Sequence, residues 1–229
     1  MKSLVLGLCV AFLATGAFAQ GAADNTLTSA ERVGGWKLLF DGKTTDGWRG
    51  FKTPAPDAGW KVSDGTLSPD AKSSKDLVTK GDYENFELSF DWKISPKGNS
   101  GVIYHVIPVG EETYESGPEY QLLDNAHGEP PLEQAASLFA LYAPSMDMTK
   151  PQGQFNHGRI VVDHGRVQHW LNGMKVVEFD MNSADFKARV AASKFKRWPQ
   201  FATGKSGAIA LQCHHDDVAF KNIKIRVLK

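Results

Sequence analysis

Apolar and polar residues alternate along many short stretches of this chain, which is the pattern of β-strands with one buried face. The clearest stretch runs from Phe86 to Ile94, with an apolar side chain at every second position. Other stretches before the middle of the chain predict strands at 36–40, 60–62, 65–67, 77–79, 99–106 and 120–124. After residue 157 the pattern resumes and predicts strands at 158–164, 166–171, 175–179, 208–212 and 218–227.

The segments between these strands carry turn and loop signals. Asn172-Gly173 and His164-Gly165 are typical of tight hairpin turns. Residues 125–157 are rich in proline and predict a long loop with one helical turn, and residues 183–199 predict a helical or irregular excursion. Many short strands joined by glycine-containing turns indicate an all-β sandwich or barrel.

The N-terminus has the order of a secretory signal peptide. Lys2 precedes an apolar run over 4–13, and Ala17-Phe18-Ala19 supplies a small-residue cleavage site. A membrane anchor is the alternative, but the run is shorter than the ~20 apolar residues that span a bilayer. We therefore expect cleavage after Ala19 and a periplasmic or secreted protein. Residues 20–34 are expected to form a flexible lead-in and residues 35–229 a single β-sandwich domain.

Charge and cysteine content exclude some classes of protein. The 26 basic and 26 acidic residues cancel, and no basic stripe is present, so nucleic acid is not an expected partner. A membrane surface is not an expected partner either, once the signal peptide is removed. Cys213 is the one cysteine beyond the predicted signal peptide, so the domain is expected to be held by its core without an internal disulfide. The composition carries no signal for an oligomeric state.

An ordered set of short motifs resembles a known family. The motifs are Gly35-Trp36, Leu39-Phe40-Asp41-Gly42-Lys43, Gly47-Trp48, Asp64-Gly65, Phe86-Glu87-Leu88, Gly98-Asn99-Ser100-Gly101-Val102, Glu119-Tyr120-Gln121-Leu122-Leu123-Asp124, Trp170-Leu171-Asn172-Gly173, Leu211-Gln212 and Asn222-Ile223. In this order they resemble the 3-keto-disaccharide hydrolase family from about residue 35 to 228. The resemblance implies a concanavalin-like jelly roll of two curved antiparallel sheets, export from a bacterial cell, and cleavage of glycosides already oxidised at C3 of the sugar.

The implied reaction sets chemical requirements. A ketone at C3 acidifies the proton on C2, so a base can remove that proton while the C1 substituent leaves as an alcohol, with net hydrolysis if water then adds. The reaction needs a base, an acid for the leaving oxygen and a group that polarises the ketone. No cofactor is required with certainty, and a divalent metal ion is the open candidate for polarising the ketone. A small carbohydrate is the expected partner.

The richest candidate cluster lies in 119–127. In a strand, Glu119 and Gln121 point to one face and the residues between them to the other. Glu119 is the predicted base or metal ligand, His127 the predicted acid or base, and Asp124 a further catalytic candidate at the end of the strand. The alternative is that Asp124 builds a turn and Glu119 is a solvated strand residue.

Other residues are candidates for contacting the substrate. Gln121, His105, Gln212 and His215 are expected to line the cleft, and Tyr142 to stack on a sugar ring. The histidine pair that includes His215 is equally consistent with a turn between the last two strands. His164 and His169 fall in the predicted hairpins and are expected at the surface.

Two other functions are consistent with the same fold. A non-catalytic carbohydrate-binding module would use aromatic platforms rather than converging titratable groups. An ordinary glycoside hydrolase would need two carboxylates flanking the bond. Glu119 and Asp124 do not share a strand face, which makes the second alternative the weaker one.

Overall fold

A computed structural model describes residues 23–72 and 74–229, so the predicted signal peptide at 1–19 lies outside the described residues. In chain order the strands are β1 (Trp36–Leu38), β2 (Trp48–Gly50), β3 (Lys61–Ser63), β4 (Thr66–Ser68), β5 (Leu77–Thr79), β6 (Phe86–Ile94), β7 (Asn99–Val106), β8 (Glu119–Leu123), β9 (Asn156–Asp163), β10 (Arg166–Leu171), β11 (Met174–Asp180), β12 (Ala208–Leu211) and β13 (Val218–Val227). They form two antiparallel sheets, as the family resemblance implies, and this decides for the sandwich over the barrel that the strand pattern left open.

The larger sheet has eight strands and the smaller has five. The larger follows the order β11-β10-β9-β6-β13-β4-β3, with β1 added along β13. The smaller follows β2-β5-β12-β7-β8. Seven of the eleven strand pairs among the described residues join strands that are not consecutive in the chain, so each sheet brings together segments that are distant in sequence.

The core lies between the facing sides of the two sheets. Leu88, Phe90 and Trp92 project into it from β6. Tyr120 of β8 meets them from the other sheet, and its ring makes an edge contact with Phe90 at a centroid distance of 5.5 Å. Each fully buried apolar side chain of this kind stabilises the fold by about 1.5–3 kcal/mol. The alternation that predicts β6 therefore reflects which side of the strand meets the opposite sheet.

The outer side of the smaller sheet carries a second apolar cluster of Val78, Ile103, Val106, Ala208 and Ala210. Phe51 and Tyr114 from neighbouring loops pack against this cluster. Polar residues of β7 and β8 emerge on the same side, beside the apolar cluster. The polar cavity that could hold a ligand opens on this outer face.

Short helices cover the edges of the sandwich. They are α1 (Ser29–Val33), α2 (Ala184–Ala192) and 3-10 turns at Thr113–Glu115, Asn125–His127, Pro131–Glu133 and Lys194–Arg197. A capping box between Thr28 and Glu31 begins α1, because each side chain accepts a hydrogen bond from the other residue's backbone N–H. The described part of the expected flexible lead-in thus contains a helix that the sequence pattern does not predict.

Both predicted hairpin turns are confirmed by backbone geometry. His164 and Gly165 have φ of 50° and 87°, and Asn172 and Gly173 have φ of 49° and 87°. Two successive left-handed residues are the requirement of a type I′ turn, which glycine and asparagine meet at low cost. Strand β2 is not predicted, because Trp48-Arg49-Gly50 contains a single apolar side chain and ends in glycine.

One expectation about the histidines is wrong. His164 is exposed, but His169 is fully buried within β10. Its Nδ1 lies 3.0 Å from the carbonyl oxygen of Ala136, and its Nε2 lies 3.1 Å from the hydroxyl of Tyr104. His169 shares the buried face of the strand with Val167 and Leu171, so the strand register places it in the core, where the two hydrogen bonds satisfy its ring. Burial lowers the pKa of His169 to about 4.

Candidate active site

A polar cavity of about 260 Å³ opens on the outer face of the smaller sheet. Its lining residues are Asn99, Tyr114, Glu119, Gln121, Phe139, Lys194, Arg197, Trp198, Gln212 and His214. Strands β7 and β8 supply the floor. The 3-10 turn after α2 and the loop after β8 supply the walls. Tyr114 from the 3-10 turn at Thr113–Glu115 and the segment after β12 complete the lining, so the cavity combines residues from six separate parts of the chain.

Glu119 begins β8 and lies on the cavity floor with only 7% of its surface exposed. Tyr120 and Leu122 point into the core, which confirms the predicted division of this strand into two faces. The carboxylate lies over Gly101 of β7, where an added Cβ would come 2.3 Å from Oε1. Any other residue at 101 would occupy the space that the carboxylate uses.

The surroundings of Glu119 favour its protonated form. Burial raises its pKa to about 8, and the buried carboxyl of Asp76 adds to the rise, while the ammonium of Lys194 opposes it. The pKa of Asp76 is also raised by burial, although its carboxyl accepts hydrogen bonds from Thr113 and from the backbone N–H of Cys213. A carboxyl that titrates within the neutral range can exchange a proton with a substrate under ordinary conditions.

Amide side chains surround the carboxylate. Gln121 contacts Asn99 Oδ1 at 3.2 Å, and its amide suits its neighbours better with oxygen and nitrogen exchanged. In that orientation the nitrogen of Gln121 lies 3.1 Å from Glu119 Oε1 and donates to it. Gln212 is buried, and its Oε1 has no hydrogen-bond partner among the described residues. A ligand hydroxyl in the cavity would satisfy that oxygen.

The wall opposite the floor is aromatic and positively charged. Nζ of Lys194 lies 4.1 Å from the ring centre of Phe139, and the guanidinium carbon of Arg197 lies 4.4 Å from that of Trp198. Trp198 in turn makes an edge contact with Tyr114 at 5.5 Å. Flat aromatic side chains of this kind pack against sugar rings. The sequence offers Trp198 as an aromatic residue able to stack on a sugar, whereas the other four residues are not among the predicted candidates.

A capped and anchored turn fixes this wall. Ser193 Oγ accepts from the backbone N–H of Phe195 at 3.1 Å, which begins the 3-10 turn. Phe195 is buried and stacks on Phe201 at a ring distance of 3.9 Å. The turn therefore has a fixed position, with Lys194 and Arg197 one 3-10 turn apart on the same side.

The structure brings only part of the predicted site together. Glu119, Gln121 and Gln212 line the cavity as expected. His214 lines it instead of its neighbour His215. His215 has a left-handed backbone with φ of 65° and directs Nδ1 to the carbonyl oxygen of Ala71 at 3.2 Å. The local turn therefore decides which of the two histidines reaches the cavity.

Asp124 lies outside the cavity lining. Its Oδ2 accepts from the backbone N–H of Lys97 at 2.9 Å, and its Oδ1 accepts from that of Ala126 at 3.3 Å. These bonds cap the 3-10 turn that His127 closes. Asp124 thus builds a turn, as the alternative to a catalytic role held, while the catalytic roles of Asp124 and His127 stay predictions.

His105 and Tyr142 also lie away from the cavity. His105 stands near the far end of β7, where it is buried and its Nε2 lies 2.8 Å from the carbonyl oxygen of Glu84. Tyr142 stacks on Phe179 at 5.0 Å and donates to Asp185 at 2.5 Å. Both side chains are engaged with protein partners, so the structure does not place them against a ligand in this cavity.

The cavity residues do not fit a tightly bound metal ion. Among the residues that the structure describes, no three His, Cys, Asp or Glu side chains converge in a geometry that could hold one. Glu119 is the one carboxylate of the described lining, and the ammonium of Lys194 acts on it. Mg²⁺ and Ca²⁺ require several oxygen ligands at once, and a single carboxylate beside a lysine ammonium is poorly suited to such a site.

The fold and the site together define a concanavalin-like β-sandwich with a polar cavity on one sheet. The carbohydrate-binding module CBM66 of Bacillus subtilis has this fold, with a TM-score of 0.50, 12% identity, and coverage of 79% of this chain and 95% of the module. At that identity the likeness concerns the fold alone. In addition, none of the helices within the described residues has the length and apolar character needed to cross a membrane.

Residues 35–226 match the 3-keto-alpha-glucoside-1,2-lyase-like domain family, and the chain belongs to this family. A 3-keto-disaccharide hydrolase of Bacteroides thetaiotaomicron is 32% identical over 228 aligned positions, covering 85% of this chain and 79% of the relative. A crystal structure of a candidate glycosyl hydrolase from Parabacteroides distasonis superposes with a TM-score of 0.85 at 36% identity. The match covers 90% of this chain and 100% of that chain. The resemblance seen in the sequence is confirmed.

Proposed function

We propose that the protein is a carbohydrate-active enzyme that cleaves 3-keto-glycosides by removing the C2 proton and expelling the C1 substituent. The observation that carries the proposal is the buried carboxyl of Glu119, which faces the cavity and has a pKa of about 8. A base of that strength is better matched to a proton beside a ketone than an ordinary carboxylate. The family to which the chain belongs and the hydrolase from Bacteroides thetaiotaomicron support the same chemistry.

The reaction begins with Glu119 in its ionised form. Its carboxylate takes the C2 proton, and the electron pair of the C2–H bond passes into the enolate of the C3 ketone. The enolate then forms the C1–C2 double bond while the C1–O bond breaks, and the leaving oxygen takes up a proton to give an alcohol. In the hydrolytic outcome, water adds its hydroxyl to C1 while a proton returns to C2, which regenerates a saturated 3-keto sugar.

Other lining residues fit supporting roles. Lys194, which interacts with the Glu119 charge, can also stabilise negative charge on the enolate oxygen. Gln121 orients the carboxylate through its amide, and the unpartnered Oε1 of Gln212 can accept from a sugar hydroxyl. His214 at the cavity edge is the lining residue that can protonate the leaving oxygen, and His127 is the alternative that the sequence predicts.

The cavity argues against an ordinary glycoside hydrolase. Such an enzyme places two carboxyl groups on opposite sides of the bond, about 5–9.5 Å apart. In the described lining, Glu119 is the one carboxylate, and Asp124 is engaged in capping a turn. A titrating carboxyl beneath a cationic wall also favours an enzyme over a binding module, which needs no proton exchange.

Turnover of matched substrates tests the proposal. The purified protein is incubated with a 3-keto-glucoside and with its unoxidised parent, with and without chelator, while aglycone release and C2 deuterium exchange are followed. We expect release from the keto sugar alone, unchanged by chelator, and loss of both release and exchange in Glu119→Gln. Glu178→Gln, which changes an exposed carboxylate of β11, is the matched control. Release without C2 exchange, or from the parent sugar, would refute the proposed mechanism.

We further propose that the protein is exported and that the signal peptide is removed after Ala19. The support is the order of charge, apolar run and small residues at the N-terminus. N-terminal sequencing of the protein recovered from the periplasmic or culture fraction tests it. A mature chain that begins at Gln20 is expected, and a full-length chain retained with the cells would refute export.

A further inference from the structure

The wall of the cavity carries two cations whose charge is unmatched by the other lining residues. Lys194 and Arg197 line the cavity, and Glu119 on the floor is the one carboxylate in the described lining. One carboxylate cannot neutralise two cations, whether it is protonated or ionised. The cavity therefore presents net positive charge to an incoming substrate, although the chain as a whole is neutral.

The local fold holds these two like charges side by side. The 3-10 turn has three residues per turn, so positions 194 and 197 lie above one another on the same side. Within the described part of the chain, neither side chain forms an ion pair within 4.0 Å of a carboxylate. Adjacent like charges repel, so holding them together at a cavity costs free energy that a bound anion would offset.

Neighbouring acids offset this charge only in part. Glu133 attracts the charge of Lys194 from the loop after β8, but it is not among the lining residues. The carboxylate of Glu115 is engaged with the backbone N–H of Glu111 at 3.2 Å. Arg197 is thus the less compensated cation, and it is exposed, with its guanidinium held over the ring of Trp198.

The difference in depth between Glu119 and Arg197 determines how a glycoside would lie in the cavity. Glu119 is buried on the floor, so the reacting carbons C1 and C2 must lie there, and the group leaving from C1 extends toward the exposed wall. Arg197 and Trp198 then meet the aglycone. A guanidinium binds a carboxylate with two parallel hydrogen bonds, and the adjacent indole offers a flat apolar surface.

We propose that the cavity selects glycosides whose aglycone carries a carboxylate, such as those of aromatic acids, and that Arg197 is the residue that determines this preference. The inference rests on the proposed function, because it takes the cavity as the site of glycoside cleavage. It adds the chemical class of the leaving group. On this proposal, the positive charges of the 3-10 turn serve to select the substrate and not to stabilise the fold.

The test compares two substrates that differ in one group, the 3-keto-α-glucosides of phenol and of 4-hydroxybenzoate. Binding to Glu119→Gln is measured by calorimetry, and turnover by the unmodified enzyme is measured in parallel. We expect the carboxylated compound to bind about tenfold more tightly at low salt and to have a correspondingly higher kcat/KM. The difference should shrink at about 0.5 M salt, because salt screens exposed charges.

Two variants test whether the preference for the carboxylated compound comes from Arg197 or from nearby positive charge in general. In Glu119→Gln/Arg197→Gln the ratio of the two affinities should fall to near one, whereas Glu119→Gln/Lys196→Gln, which removes an adjacent exposed charge outside the lining, should keep it. Equal affinity and equal turnover of the two compounds would overturn the preference while leaving the proposed function intact. If neither compound were bound or cleaved, both would be overturned.

Discussion

The carboxylate of Glu119 occupies the space directly above Gly101, where an added Cβ would lie 2.3 Å from Oε1 and 2.9 Å from Cδ. The two residues stand on adjacent strands, and Gly101 pairs with Gln121, the next residue on the same face. A methyl group at 101 would therefore displace the proposed base without entering the core. The glycine gives the carboxylate its position on the cavity floor.

Replacing this glycine should impair catalysis more than folding. We expect Gly101→Ala to lower kcat/KM by about 100-fold, because displacing a reacting group by about 1 Å costs that much. The melting temperature should change by only a few degrees, because the side chain that must move is polar and faces the cavity. Gly47→Ala, whose nearest contact would be an ordinary 3.4 Å, is the control. Full activity in Gly101→Ala would show that the position of Glu119 is not critical.

The pH dependence of the rate should report the pKa of Glu119. If its carboxylate is the base, log kcat/KM rises with pH and levels off above about 8. The charge of Lys194 lowers that pKa, so Lys194→Met should move the bend to higher pH. Lys196→Met serves as the comparison. A bend that stays in place or moves to lower pH in Lys194→Met would contradict the assignment, and a rate that falls above about 8 would make Glu119 the acid.

Stability should also depend on the ionisation of Glu119. The unfolded chain releases this proton near 4.5 and the folded protein near 8, so unfolding releases a proton in this window. The free energy of unfolding should therefore fall as pH rises through the window. In Glu119→Gln this loss is absent, so its stability relative to the unmodified protein should increase toward alkaline pH. Urea unfolding between about pH 5 and pH 9 measures the difference. Parallel curves for the two proteins would refute the raised pKa.

Acid should weaken the fold through His169. Its pKa is about 4 when folded, against 6.5 for the free side chain, so unfolding takes up a proton between these values. The free energy of unfolding should fall as pH drops from 6.5 toward 4. His169→Asn should be less stable at neutral pH, because the hydroxyl of Tyr104 loses its partner, but its stability should depend less on pH in this window. His164→Asn, at an exposed left-handed turn position, is the control; if it flattened the curve as much, the effect would not belong to His169.

Periodicity predicted most of the fold because the strands of this sandwich have one buried side. Strand β6 has the predicted bounds, Phe86 to Ile94, since its alternation is long and unbroken. The same rule predicted that Glu119 and Gln121 share a face. The short strand β2 and helix α1 escaped prediction, because each is fixed by its partners or its caps and not by a repeated pattern.

The wall of the cavity could not be predicted in the same way. Lys194, Arg197 and Trp198 belong to a segment that sequence patterns leave irregular, and only its packing across the sheet brings it to Glu119. His105 shows that a residue inside a correctly predicted strand can still depart from the expected geometry. It occurs within a predicted strand, yet its φ of 54° and its contact with Glu84 take it out of the regular alternation. Chemistry that depends on contacts distant in sequence is invisible to local periodicity.

The cavity floor and its charged wall are held in place by different kinds of structure. The floor is part of two hydrogen-bonded strands, so altering its backbone would disturb the sheet. The wall is a short capped turn held by the stacking of Phe195 on Phe201. A protein built in this way can exchange one surface segment and acquire a new range of leaving groups while its reactive carboxylate stays in place. The two sheets thus keep the reactive carboxylate in position, while the choice of leaving group depends on a segment that can change without altering them.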